Sequence, residues 1–71
     1  MRVRYVVTGM TCQHCVAHVT EEVSSVPGVS AVEVSLDDAS MVVESSDPID
    51  FAAISEAVAE AGEYTVALAT A

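Results

Sequence analysis

Apolar and polar residues alternate at the start of the chain. Val3, Tyr5 and Val7 fall on one side; Arg2, Arg4, Val6 and Thr8 fall on the other. That period of two predicts a strand with one buried face. Gly9-Met10-Thr11 breaks the alternation, and from about Gln13 the period changes. Val16, Val19, Val23 and Val26 then form one helical stripe, with His14, His18, Glu21, Glu22 and Ser25 broadly opposite. Pro27-Gly28 predicts its end. Val32, Val34 and Leu36 alternate with Glu33 and Ser35, and Met41 and Val43 alternate with Val42 and Glu44. With Asp37-Asp38-Ala39-Ser40 as the turn, these predict a hairpin. Asp50 is placed to cap a second helix, with Ile49 and Ile54 set as a hydrophobic staple. Its buried stripe is predicted as Phe51, Ile54, Val58 and Ala61, and Gly62 ends it. Tyr64, Val66 and Leu68 predict a last strand, after which residues 69–71 are expected to fray.

The order βαββαβ predicts an α+β fold of the ferredoxin-like kind, a four-stranded antiparallel sheet with both helices on one face. At 71 residues, a single domain spanning 1–71 with a modest core is expected. The longest apolar run is only a few residues, far from the about 20 needed to cross a membrane. No charged leader with an apolar core precedes the first strand, so a cytoplasmic location is expected, where thiols stay reduced.

Charge narrows the partners. The formal net charge is −9, and Arg2 and Arg4 are the only side-chain cations besides the histidines. A chain this acidic is not expected to bind nucleic acid through phosphate neutralisation or to approach an anionic membrane surface. Two readings of the charge stand side by side: steering toward a basic protein face, or simply keeping the domain soluble. Paired carboxylates, a phosphate-binding glycine loop and a Ser-His-Asp set are all absent from the pattern, so no enzymatic activity is expected.

The chemistry sits in Gly9-Met10-Thr11-Cys12-Gln13-His14-Cys15, where strand gives way to helix. Cys12 in the loop and Cys15 in the first helical turn can converge on one point. The positive end of the helix favours thiolate over thiol there. Metal coordination and disulfide exchange are both served by such a pair. A tetrahedral zinc site wants four ligands, and the only further candidate is His18. Two soft thiolates suit Cu(I). The redox alternative asks for a longer, thioredoxin-like chain with a proline facing the pair, and neither Pro27 nor Pro48 is so placed.

This stretch resembles the G-M-x-C-x-x-C signature of heavy-metal-associated domains, and most closely that of small bacterial CopZ-type copper chaperones. The likeness continues through Pro27 to Ala39 and Ile54 to Tyr64 and covers nearly all of the chain. It implies Cu(I) held by Cys12 and Cys15, delivered to the metal-binding domain of a copper-exporting P-type ATPase. An N-terminal domain of such an ATPase would look similar. Thr11 before the first cysteine matches the copper branch of the family; zinc and cadmium members often place an acidic residue there. Copper chaperones of the family often carry Gly-Tyr directly after the second helix, with the tyrosine near the metal loop. Here the order is Gly62-Glu63-Tyr64, so either a one-residue bulge shifts Tyr64 or Glu63 takes the place.

The neighbouring residues have plainer readings. Met10 is expected under the loop as packing, and Tyr5 in the core. His14 is expected to face solvent, with a role as a transient third ligand or a bridge in a copper-linked homodimer as the alternative. His18 is expected on the surface, beside Glu21 or Glu22 at helical spacing.

Overall fold

The computed structural model describes residues 1–69. Strands β1 (Arg2–Thr8), β2 (Val29–Ser35), β3 (Ser40–Ser45) and β4 (Thr65–Leu68) alternate with helices α1 (Gln13–Ser24) and α2 (Phe51–Ala61) in the expected order. The four strands form one sheet in the order β2-β3-β1-β4, and every neighbouring pair is antiparallel. The architecture is ferredoxin-like.

Alternation along β1 decides which face is buried. Tyr5 and Val7 point inward, opposite Met41 and Val66 on the flanking strands, while Arg4, Val6 and Thr8 remain exposed. Val19 and Val23 of α1 and Ile54, Ala57 and Val58 of α2 join the same buried cluster. Both helices therefore cover one face, and the other stays open. On that open face Arg2 pairs with Glu44 at 3.6 Å, an exposed contact of little worth to stability.

Several boundaries differ from expectation, each for a local reason. β2 begins at Val29 rather than Val32, because a bulge between Val29 and Ala31 breaks the period of two. The Ser30 hydroxyl there donates to the Glu44 carbonyl at 3.1 Å. α1 stops at Ser24, and its last turn tightens as the Val26 N–H donates to the Val23 carbonyl; Val26 still packs on the core. Asp50 does occupy the N-cap of α2, but its side chain makes no capping bond. Its carbonyl alone accepts, from the Ala53 and Ile54 N–H groups.

Phe51 was expected in the buried stripe of α2 and is 40% exposed. It starts the helix and covers Tyr5 with one side of its ring, at 6.3 Å between centroids, leaving the other side to water. Ala57 is buried in its stead. The expected fraying does not hold at Ala69, whose N–H donates to the Arg4 carbonyl at 3.0 Å; Thr70 and Ala71 lie outside the described residues.

The site depends on how the first loop is held. Val7 before it and Val19 after it are fully buried. The loop from Gly9 to Cys12 is thus anchored on both sides by core side chains, at the end of the sheet where β4 also begins.

Candidate metal centre

Gly9 turns the chain out of β1 with φ of 103°, a conformation that a side chain disfavours. Met10 tucks back against the core, as expected of a packing residue. Cys12 is extended, at φ −158° and ψ 175°, and takes the N-cap position of α1. Its carbonyl accepts the N–H groups of Cys15 and Val16, and its side chain makes no capping bond. Cys15 follows in the first turn. The two sulfurs lie 3.8 Å apart, both as free thiols, with Cys12 exposed and Cys15 half-buried. The structure thus brings the two expected residues to one point.

Cys15 is the more constrained of the pair. Its thiol is pulled down from the ordinary 9.0 to about 6. The largest cause is a hydrogen bond from the Thr11 backbone, followed by one from the Tyr64 hydroxyl and one from the Thr11 hydroxyl. The Cys12 backbone adds a further bond, and partial burial opposes them all. The Thr11 Oγ1 lies 3.8 Å from the sulfur. The unpaired amides at the start of α1 add a positive field at the same place. Tyr64 shows the reciprocal effect: donating to Cys15 raises its own value, with burial and the charges of both thiols adding to it.

How Tyr64 gets there settles the alternative left open by the Gly62-Glu63-Tyr64 order. The Tyr64 N–H donates to the Gly62 carbonyl at 2.9 Å, closing a tight three-residue turn around Glu63. Glu63 is thereby turned out to solvent, and the tyrosine reaches Gly9 and Cys15 in the thiol loop. Its ring needs two glycines beside it. A Cβ on Gly62 would come within 2.9 Å of the ring, and one on Gly9 within 3.3 Å. Sequence reasoning gave Gly62 only the role of ending the helix. The signal was available in the Gly9 and Gly62 pair flanking an aromatic residue, but only the turn shows that they share a ring.

His14 is exposed in the first turn of α1. His18 is also exposed, and no ion pair joins it to Glu21 or Glu22 among the described residues; the three line one cavity with Glu60. No group of three or more histidine, cysteine or carboxylate side chains is arranged to hold a metal ion among the described residues. The donors this arrangement brings together are the two sulfurs, 3.8 Å apart. No helix among the described residues is long and apolar enough to cross a membrane.

With this geometry in place, the relatives are informative. The heavy-metal-associated domain model matches residues 4–64, and the chain belongs to that family. It is 45% identical to the COP-associated protein of Helicobacter felis, over 87% of this chain and 94% of that protein. Among solved structures, oxidized MerP from Ralstonia metallidurans CH34 superposes with a TM-score of 0.87 at 31% identity, covering 99% of this chain and 97% of that one. A copper binding domain from HMA7, a P-type ATPase, superposes with a TM-score of 0.87 at 27% identity, covering 97% of this chain and 93% of that one.

Proposed function

We propose that the protein is a cytoplasmic Cu(I) chaperone, without enzymatic activity, that carries one ion on Cys12 and Cys15 and passes it to the metal-binding domain of a copper-exporting P-type ATPase. The observation that carries this reading is a pair of thiols 3.8 Å apart at the surface, Cys12 exposed and Cys15 half-buried, with no group of three or more histidine, cysteine or carboxylate side chains arranged to hold an ion among the described residues. A two-sulfur site suits a soft ion content with few ligands and leaves zinc short of its usual four. Exposure matters equally, because an ion that must be handed on needs a face open to an incoming thiolate. The thiolate-stabilising bonds from Thr11 and Tyr64 keep Cys15 ready to bind at neutral pH. The likeness to the COP-associated protein of Helicobacter felis supports the copper reading.

The likeness to the HMA7 domain supports a second reading, a metal-binding domain of a P-type ATPase itself. The chemistry of the thiol pair is the same in both. A thiol-disulfide oxidoreductase is a third reading, favoured by the lowered Cys15 value alone.

Titration of the reduced protein with Cu(I) and Zn(II) against competing chelators tests the proposal. One Cu(I) per chain, retained against a chelator that strips Zn(II), is the expected result. Cys12→Ser and Cys15→Ser should each abolish tight binding. Retention of Cu(I) by the double serine variant would overturn the site, and catalytic turnover in a disulfide-exchange assay would favour the redox reading.

A further inference from the structure

Away from the thiol loop, α1 and α2 leave a groove between them. Its cavity of ≈ 290 Å³ has an apolar floor of Val26, Pro27, Ala53 and Ala57. Glu22, Glu56 and Glu60 stand around it. A second cavity of ≈ 340 Å³ shares Glu22 and Glu60 and continues the groove to Ala61, at the end of α2 that leads to Tyr64.

We infer that this groove docks a basic segment of a partner protein that presents one apolar side chain between lysines or arginines. Two features of the groove ask for that occupant. The floor is apolar and open because the residues facing it on α2 are alanines, so a side chain of leucine size has room to lose its water there. The rim is of one sign, and the chain spends stability to keep it so. Glu60 lies in the last turn of α2 and Glu22 in the last turn of α1, where the helix dipole disfavours negative charge. Neither last turn holds a basic residue. Glu56 and Glu60 are also four apart on one helix, a like-charge spacing that destabilises it. Both arginines lie on β1, whose charged side faces away from the helices. Among the described residues no lysine or arginine pairs with these carboxylates; His18 shares the second cavity with Glu22 and Glu60 without an ion pair to either, and a cationic segment would answer all three. The groove's floor lies outside Gly9–Cys15, so a segment seated there leaves the thiols free to exchange. The inference holds whichever metal those thiols carry.

The test is a titration of the reduced, metal-free protein, followed by amide chemical shifts. The probe is a short acetylated and amidated peptide with one leucine flanked by lysines and no thiol. Shifts should concentrate at residues 22–27 and 53–60, with Gly9–Cys15 unmoved. Replacing the peptide's leucine by serine should weaken binding about tenfold. The Glu56→Gln/Glu60→Gln variant should bind roughly fivefold more weakly while melting at a higher temperature than the wild type. Equal binding of the serine peptide, or shifts spread evenly over the acidic surface, would reduce the effect to general charge attraction and overturn the site. So would undiminished binding by the double glutamine variant.

Discussion

At Cys15 the thiolate is held by groups that gather only in the folded chain: the Thr11 backbone first, then the Tyr64 and Thr11 hydroxyls. That ties stability to pH with a definite sign. The folded value is depressed, so the contribution is complete above the ordinary 9.0 and is lost as pH falls through about 6. Urea midpoints of the metal-free protein should therefore fall between pH 9.0 and 6 by more in the wild type than in Cys15→Ser. Tyr64→Phe should move the Cys15 titration back toward its ordinary value, read by thiolate ultraviolet absorbance. An unchanged titration would mean that Thr11 alone holds the sulfur. Gly9→Ala tests the other side of the ring. It places a side chain at φ of 103° and a Cβ 3.2 Å from the Glu63 carbonyl. A loss of at least about 1 kcal/mol is expected in chemical denaturation. The cysteines themselves were legible in the sequence because a Cys-x-x-Cys at a helix start converges whatever the rest of the fold does. Tyr64 was not, because one inserted residue either displaces it or is absorbed, and only the turn at Glu63 decides.

Between elements, the signals that survived are those carried by many residues together. The strand alternation of β1 and the valine stripe of α1 each rest on several positions, and both are found. Single-residue signals fared worse. Asp50 sits at the right place without making the capping bond, and Phe51 has the right helical phase but too little around it at the first turn. The groove between the helices was invisible for a related reason, since it is a property of two elements packed together. Core positions shared by elements are where a substitution should cost most. Ile54 is fully buried between α2 and the sheet. Ile54→Ala should cost about 2–5 kcal/mol, against a total of about 5–15 kcal/mol for an ordinary domain. In a chain of 71 residues that brings the fold near its limit, which circular dichroism melting would show directly. A shift within a degree or two would mean that the helix repacks and that Val19 and Val58 carry the core without it.

For the whole molecule, charge rather than affinity has to direct the transfer proposed above. Donor and acceptor domains of one family offer the same pair of sulfurs, so the exchange between them is nearly level. Direction then comes from onward transport, and speed from encounter. Eleven carboxylates against two arginines leave the protein at −9. A Cu(I) ion shared by two thiolates adds a further negative charge at the loop. One of the two arginines is engaged with Glu44 on the open sheet face, away from the helices. The helical side, which includes the groove and adjoins the thiol loop, therefore presents carboxylates without a lysine or arginine. A receiving domain with an acidic face would be repelled, and one with a basic face drawn in from beyond contact distance. Salt separates the two cases, because the screening length is about 8 Å at physiological ionic strength and about 3 Å at molar salt. The rate of Cu(I) transfer to the cognate ATPase domain should fall as salt is raised, with the equilibrium position almost unchanged. The Glu56→Gln/Glu60→Gln variant should start slower and lose less. Stopped-flow mixing of loaded protein with metal-free acceptor at low and high salt measures both. A rate that rises with salt would mean that two acidic faces meet, and that the carboxylates keep the protein soluble without guiding it to its partner.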